Sequence, residues 1–216
     1  MVAEQTKNAM IESNLGLVHF AAQAYRGRGV PYDDLVQEGT LGLMQAVERF
    51  DPGRRVKFWF PGGSSAPVLL EEDLDRPYSF ESMAEAGSML GSGAIIVVDD
   101  SVPVVSVALR LAEFYRHESC GKCVPCREGT NWTVKTLERI DSGEATPMDL
   151  EIMAQVQTNI IGNCLCVLGD SMAMPVGSMI EKFRPEFEEH IERARERAER
   201  LSVEMGVAAP PADAAA

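Results

Sequence analysis

Apolar residues recur at helical spacing between Asn14 and Phe50, first as Leu15, Leu17, Val18, Phe20 and Ala21, then as Leu35, Val36, Leu43, Met44 and Val47. RGRGVPYDD interrupts the pattern, so the segment predicts a helical hairpin whose second helix starts near Pro31 with Asp33 and Asp34 in its first turn. After FDPG at Phe50 to Gly53 the character changes. WFPGGSSAPVLLEEDLDRP predicts turns and strand, a short helix follows, and GSMLGSG then leads into the apolar run AIIVVDD. From Pro103 onward helical patterns dominate again. TPMD at Thr146 to Asp149 predicts a helix start, with Thr146 as N-cap, Pro147 in the first turn and an acid at the third position. Pro185 to Leu201 carries charge on a helical frame and predicts a solvated helix; GVAAPPADAAA predicts a frayed tail.

The chain of 216 residues, 45% hydrophobic, is long enough to bury a core. Its longest apolar runs are too short to span a bilayer, and no charged-then-apolar leader begins at Met1, so a soluble, cytoplasmic chain is expected. Charge divides the chain as the hydrophobic pattern does. Residues 1–57 hold seven basic and seven acidic side chains, and the remainder holds the whole net charge of −13. So acidic a surface repels the phosphate backbone of nucleic acid and anionic lipid alike, which makes proteins the expected partners of the larger part.

Five cysteines supply the candidate chemistry. Cys120, Cys123 and Cys126 stand at three-residue intervals in HESCGKCVPCREGTNW, while Cys164 and Cys166 lie in GNCLCVLGD. In a reducing compartment thiols set this way are metal ligands more often than disulfides. A C-x2-C-x2-C loop can wrap three corners of an iron–sulfur cubane and needs one more remote thiolate, which either Cys164 or Cys166 could provide. A structural zinc site drawing on His117 or a late cysteine is the rival. The cubane's negative charge calls for amide donors and cations, and Lys122 and Arg127 flank the ligands. GSMLGSG is the sole glycine-rich candidate for a phosphate loop; because it runs into a strand and not a helix, it is expected to be a turn.

ESCGKCVPCREGTNW with NIIGNCLCVLGDSMAMPVGSMIEKFRPEFEEHI resembles the C-terminal part of the NADH- and FMN-binding flavoprotein subunit of respiratory complex I, a family shared with NAD-linked hydrogenases. The likeness runs from about Trp59 to Ile191. It implies a [4Fe–4S] cluster on Cys120, Cys123, Cys126 and Cys166 in a four-helix bundle, with Cys164 a buried bystander. FPGGSSAPVL through IIVVDD corresponds to the second part of a ubiquitin-like β-grasp domain, and a half sheet leaves an unpaired edge and an uncovered apolar face. The glycine-rich flavin loop of that family, of the type GRGGxGFPTGxKW, has no counterpart, so no FMN or NAD site is expected here and the chain by itself cannot oxidise NADH.

NLGLVHFAAQAYRGRGVPYDDLVQEGTLGLMQAVERFDPGRRVKF, from Asn14 to Phe58, resembles the start of region 2 of primary-type bacterial sigma factors. Carried over by position, Asp34, Gln37, Glu38 and Met44 would contact the RNA polymerase core, and Thr40 stands where asparagine is usual. The aromatic, basic helix that reads promoter DNA does not follow, so sequence-specific DNA binding is not expected.

The expected architecture is mainly α with a small β portion: a sigma-like helical fragment over 1–57, an incomplete β-grasp segment over 58–102, a four-helix iron–sulfur bundle over 103–205 and a tail over 206–216. Three functions compete. The chain is an electron-transfer module among other subunits of a complex I-type oxidoreductase, peripheral to the membrane and never inserted in it; a polymerase-binding module; or a chimeric fusion without function.

Overall fold

The computed structural model describes residues 2–23, 25–27, 29–49 and 53–205; the tail expected over 206–216 lies outside them. The chain forms two units, Met1–Arg55 and Val56–Ala216, and its described residues are mainly helical with one two-stranded sheet.

The smaller unit is the expected hairpin, of α1 (Val2–Gln23) and α2 (Tyr32–Arg49). The first helix starts well before Asn14, because the polar stretch ahead of it holds no proline or glycine to stop helix propagation. Gly27 and Gly29 take positive φ in the turn, at 79° and 87°. Val18 and Ala22 of α1 and Val47 of α2 are buried. Gly39 allows close approach of the helices: a β-carbon there would lie 2.8 Å from Val18 Cγ1.

In the larger unit β1 (Val56–Phe60) pairs antiparallel with β2 (Ile96–Asp99). Phe58 is fully buried, so from Val56 the last residues of the sigma-like stretch serve as a core strand of this unit. On the other side of β1 Trp59 bridges to Leu69, and between the strands lie a 3-10 turn at Glu71–Asp73 and α3 (Phe80–Glu85), the latter capped by the Ser79 hydroxyl. GSMLGSG is a turn, as expected. Gly91 packs on Gly62 so closely that a β-carbon on either would meet backbone at 2.4 Å. Beyond it Ile95, Ile96 and Val97 remain about half exposed, beside an apolar groove of about 480 Å³ lined by Phe60, Val98, Leu111 and Phe114 among others.

Helices α4 (Val104–Glu118), α5 (Val124–Ser142), α6 (Pro147–Ile160), α7 (Leu168–Lys182) and α8 (Arg184–Met205) complete the unit. The expected cap of α6 is present: the Thr146 N–H and hydroxyl both donate to the Asp149 carboxylate, at 2.7 and 2.9 Å. Leu137, Ile140, Leu150, Met153, Met172, Met179 and Phe187 are inaccessible, and the same core takes in Phe58, Phe60, Val68 and Val98 from the strand segment. A polar strut crosses it where Gln157 donates to the Thr133 hydroxyl (2.9 Å), which donates on to the Gly129 carbonyl (2.8 Å). Four helices therefore have a fifth packed on them. α8 is not wholly solvated as its charge suggested, because Phe187, Ile191 and Ala194, at i, i+4 and i+7, form one buried face beneath the charged ones.

Polar links fasten the strands to the helices. Lys57 Nζ donates to Glu186 at 2.6 Å and to the Val102 carbonyl at 2.8 Å, and the same Glu186 oxygen accepts from the Val104 N–H at the start of α4. Val68 is held from both sides, its N–H by Ser178 and its carbonyl by Lys182.

Candidate metal centre

Two loops carry the five thiols, and the helices decide how each loop begins and ends. α4 stops at Glu118; Ser119 turns extended, and Gly121 takes φ 77°, which lets the chain reverse tightly between the first two cysteines. Cys123 is the N-cap of α5 and Pro125 fits its first turn, where no backbone N–H is needed. These choices leave Cys120 exposed in the loop, Cys123 half-buried at the cap and Cys126 buried in the first helical turn. The second loop runs from Ile161 to Val167 between α6 and α7, and Asp170 of α7 reaches back to accept the Gly162 N–H at 2.9 Å. Within it Cys164 is half-buried and Cys166 exposed.

The loops touch through sulfur. The Leu165 N–H donates to Cys123 Sγ at 3.3 Å, tying the late cysteine pair to the triplet. Ser119 Oγ lies 3.3 Å from Cys126 Sγ and also accepts the Gly121 N–H. Cys164 packs against the core, and a β-carbon on Gly169 would come 2.8 Å from its sulfur and 3.6 Å from Cys126 Cβ. Burial pushes the Cys164 thiol up, and neighbouring Cys126 and Cys123 push it in the same direction.

Of the flanking cations, Lys122 is exposed, and Arg127 is committed to the loop itself, donating to the Gly121 carbonyl at 2.7 Å and pairing with Glu128 at 2.8 Å. The structure thus brings Cys123, Cys126 and Cys164 into one neighbourhood and leaves Cys120 and Cys166 at its surface. Ser119, the Leu165 amide and Gly169 are site residues that motif spacing did not single out. Only Gly169 had a signal, its place in GNCLCVLGD just after the late cysteines.

The donor set, five thiols on two adjoining loops, fits a thiolate-held iron–sulfur cluster. Among the described residues no three His, Cys, Asp or Glu side chains stand close enough together to hold one metal ion. An amide donor already aimed at Cys123 Sγ and a helix N-terminus bearing Cys126 both favour bound negative charge.

Residues 106–190 match the family model of the NADH-ubiquinone oxidoreductase-F iron-sulfur binding region. The larger unit carries that family's [4Fe–4S] region. Residues 10–60 match the model of sigma-70 region 2. The chain is 47% identical over 167 residues to the second F-type subunit of NADH-quinone oxidoreductase from Rhizobium meliloti (strain 1021), an alignment covering 77% of this chain and 38% of the relative. It is 49% identical over 140 residues to the corresponding F-type subunit from Streptomyces coelicolor (strain ATCC BAA-471 / A3(2) / M145), covering 65% of this chain and 31% of that one. Among solved structures it is similar to a NAD+-reducing [NiFe]-hydrogenase in the H2-reduced state, with a TM-score of 0.56 and 29% identity over 72% of this chain and 27% of the other. The chain therefore spans about a third of the length of the F-type subunits it matches, 38% and 31% of these two. Among the described residues no helix is long and apolar enough to cross a membrane.

Proposed function

We propose that the larger unit is an electron-transfer module of a complex I-type NADH-quinone oxidoreductase, working on the cytoplasmic side of the membrane among the other subunits of such an assembly. Cys120, Cys123, Cys126 and Cys166 are its cluster ligands. Bound there, a [4Fe–4S] cluster supplies a centre that takes up and gives back one electron at a time. The protein's part is to hold and insulate it. Cys126 fixes the inner corner from the first turn of α5, and exposed Cys120 and Cys166 supply the outer corners from the two loops. The Leu165 N–H and Ser119 hydroxyl offer hydrogen bonds to ligand sulfurs, which stabilise the thiolate form and raise the reduction potential by lowering electron density. Arg127 holds Gly121 so that the triplet stays folded.

The observation that carries this reading is the Leu165 N–H on Cys123 Sγ, which joins the two cysteine loops of the family-matched region at one place. Anaerobic reconstitution with iron and sulfide, followed by EPR of the reduced protein, tests it. A cubane signal is expected for the parent chain and for Cys164→Ser, and its loss for Cys166→Ser. A signal lost only in Cys164→Ser would move the fourth ligand to Cys164, and a colourless, iron-free product would end the reading.

A second reading concerns the smaller unit, which we propose docks on an RNA polymerase core through Asp34, Gln37, Glu38 and Met44. What supports it is that these four, with Leu41, are exposed at helical spacing along one face of α2. Pull-down with core polymerase should retain the parent chain and lose the Gln37→Ala/Glu38→Ala double variant; equal retention of both, or of neither, sinks the idea.

A further inference from the structure

The fifth cysteine has no place in a four-ligand site, yet the fold does not set it aside. Cys164 lies near Cys126 at the first turn of α7, where Gly169 leaves room: the β-carbon that Gly169 lacks would stand 2.8 Å from the Cys164 sulfur and 3.6 Å from the Cys126 β-carbon, so these two atoms are no more than 6.4 Å apart (2.8 and 3.6 end to end). Both residues are free thiols, and the neighbouring Leu165 N–H on Cys123 Sγ holds this loop against the triplet. Cys166, two residues on, is exposed.

We propose that Cys126 and Cys164 are an oxidative cross-linking pair, which joins when the chain holds no cluster and bars iron until it is reduced. The oxidant is of the peroxide class. The half-exposed Cys164 sulfur attacks one peroxide oxygen as its own proton leaves; the S–O bond forms, the O–O bond breaks, and the departing hydroxide takes that proton as water, giving a sulfenic acid. Cys126, as thiolate, then attacks that sulfur; the S–S bond forms, the S–O bond breaks, and the departing hydroxide takes a proton as water. Two thiols are oxidised by two electrons in total, and one peroxide is reduced to two waters. Transient cross-links of this kind occur in reducing compartments where structural ones do not. A dithiol reductant reverses the step by exchange and frees Cys126 again.

The effect on iron uptake rests on Cys126 being a cluster ligand, whereas the cross-link itself does not. The full-length cluster-free chain, reduced and desalted, is treated with one equivalent of hydrogen peroxide, blocked with N-ethylmaleimide and digested without reductant for mass spectrometry. The Cys126–Cys164 peptide should dominate, with titratable thiols falling from five to three. A dominant pair of any other composition, or no cross-link, overturns the proposal and leaves the ligand assignment intact. In the second arm, peroxide treatment should slow iron uptake by about tenfold or more in the parent chain, with recovery in dithiothreitol, and should leave Cys164→Ser and Cys164→Ala unaffected. Their circular dichroism serves as the check that both fold. A cross-link that leaves uptake unchanged defeats the barring role and shifts doubt to Cys126 as a ligand.

Discussion

In the larger unit the apolar stripes of five helices and two strands close on one another until Leu137, Leu150, Met172, Met179 and Phe187 lose all contact with solvent; in the smaller unit α1 and α2 bury Val18, Ala22 and Val47 while Leu41 and Met44 stay about half exposed. The same helical periodicity runs through both. What differs is the number of surfaces available to receive it. Burial is worth about 25 cal/mol per Å² of apolar surface, and a hairpin has only one helix–helix seam in which to gain it. A many-sided bundle can satisfy all its stripes internally and devote its loops to chemistry. A hairpin keeps an apolar stripe facing outward, which is a property of surfaces that bind.

The comparison breaks most visibly if the larger core is emptied. Phe187→Ala removes a fully buried ring from under α8 and should cost about 3–5 kcal/mol, read as a lower urea midpoint of the larger unit while hairpin helicity is unchanged. Overfilling the same core comes next. A β-carbon at Gly129 would lie 2.5 Å from Ile160 Cδ1, so Gly129→Ala should destabilise by about 1–3 kcal/mol where α5 crosses α6.

A smaller, pH-gated effect belongs to Tyr78, whose hydroxyl donates to the Pro61 carbonyl and whose pKa burial pushes up. Ionisation is thus harder in the folded than in the unfolded chain. The stabilising contribution is complete below the ordinary tyrosine range near 10 and drains away as pH rises through the higher folded value. Tyr78→Phe should lose about 1 kcal/mol at pH 8 and fall less steeply than the parent as pH rises above the ordinary tyrosine range, by denaturant midpoints. The least change is expected in the hairpin. At Gly39→Ala the clash with Val18 Cγ1 at 2.8 Å opposes a gain in helix propensity of about 1 kcal/mol, so the thermal midpoint of the smaller unit should move by only a degree or two. A large loss there would mean the seam is as tightly packed as the bundle, and the contrast between the units would fail.

Much of the site was legible because its spacing is local. Three thiols at three-residue intervals with Gly121 and Pro125 between them fix a loop that runs into a helix, and no distant contact is needed to see it. The hairpin and the Thr146 cap were readable for the same reason, since periodicity and capping act within one or two turns. Other features depended on what the chain meets elsewhere. Val56 to Phe58 continue a sigma-like sequence, and only their pairing with β2 makes them a strand of the other unit. The buried face of α8 was hidden by the charge around it, because Phe187, Ile191 and Ala194 are three apolar positions in a run of Glu and Arg.

The sequence by itself determined which atoms could bind iron, how the triplet is spaced, where helices begin and that two kinds of chain meet at about residues 58 to 60, since propensity, capping and ligand spacing are short-range. The tertiary structure decided which of the two late cysteines is half-buried near Cys126 and which faces solvent. Cys164 and Cys166 differ by two positions in a loop, and their surroundings are set by α5 and α7, packed from residues some forty positions away, through contacts that no local pattern encodes.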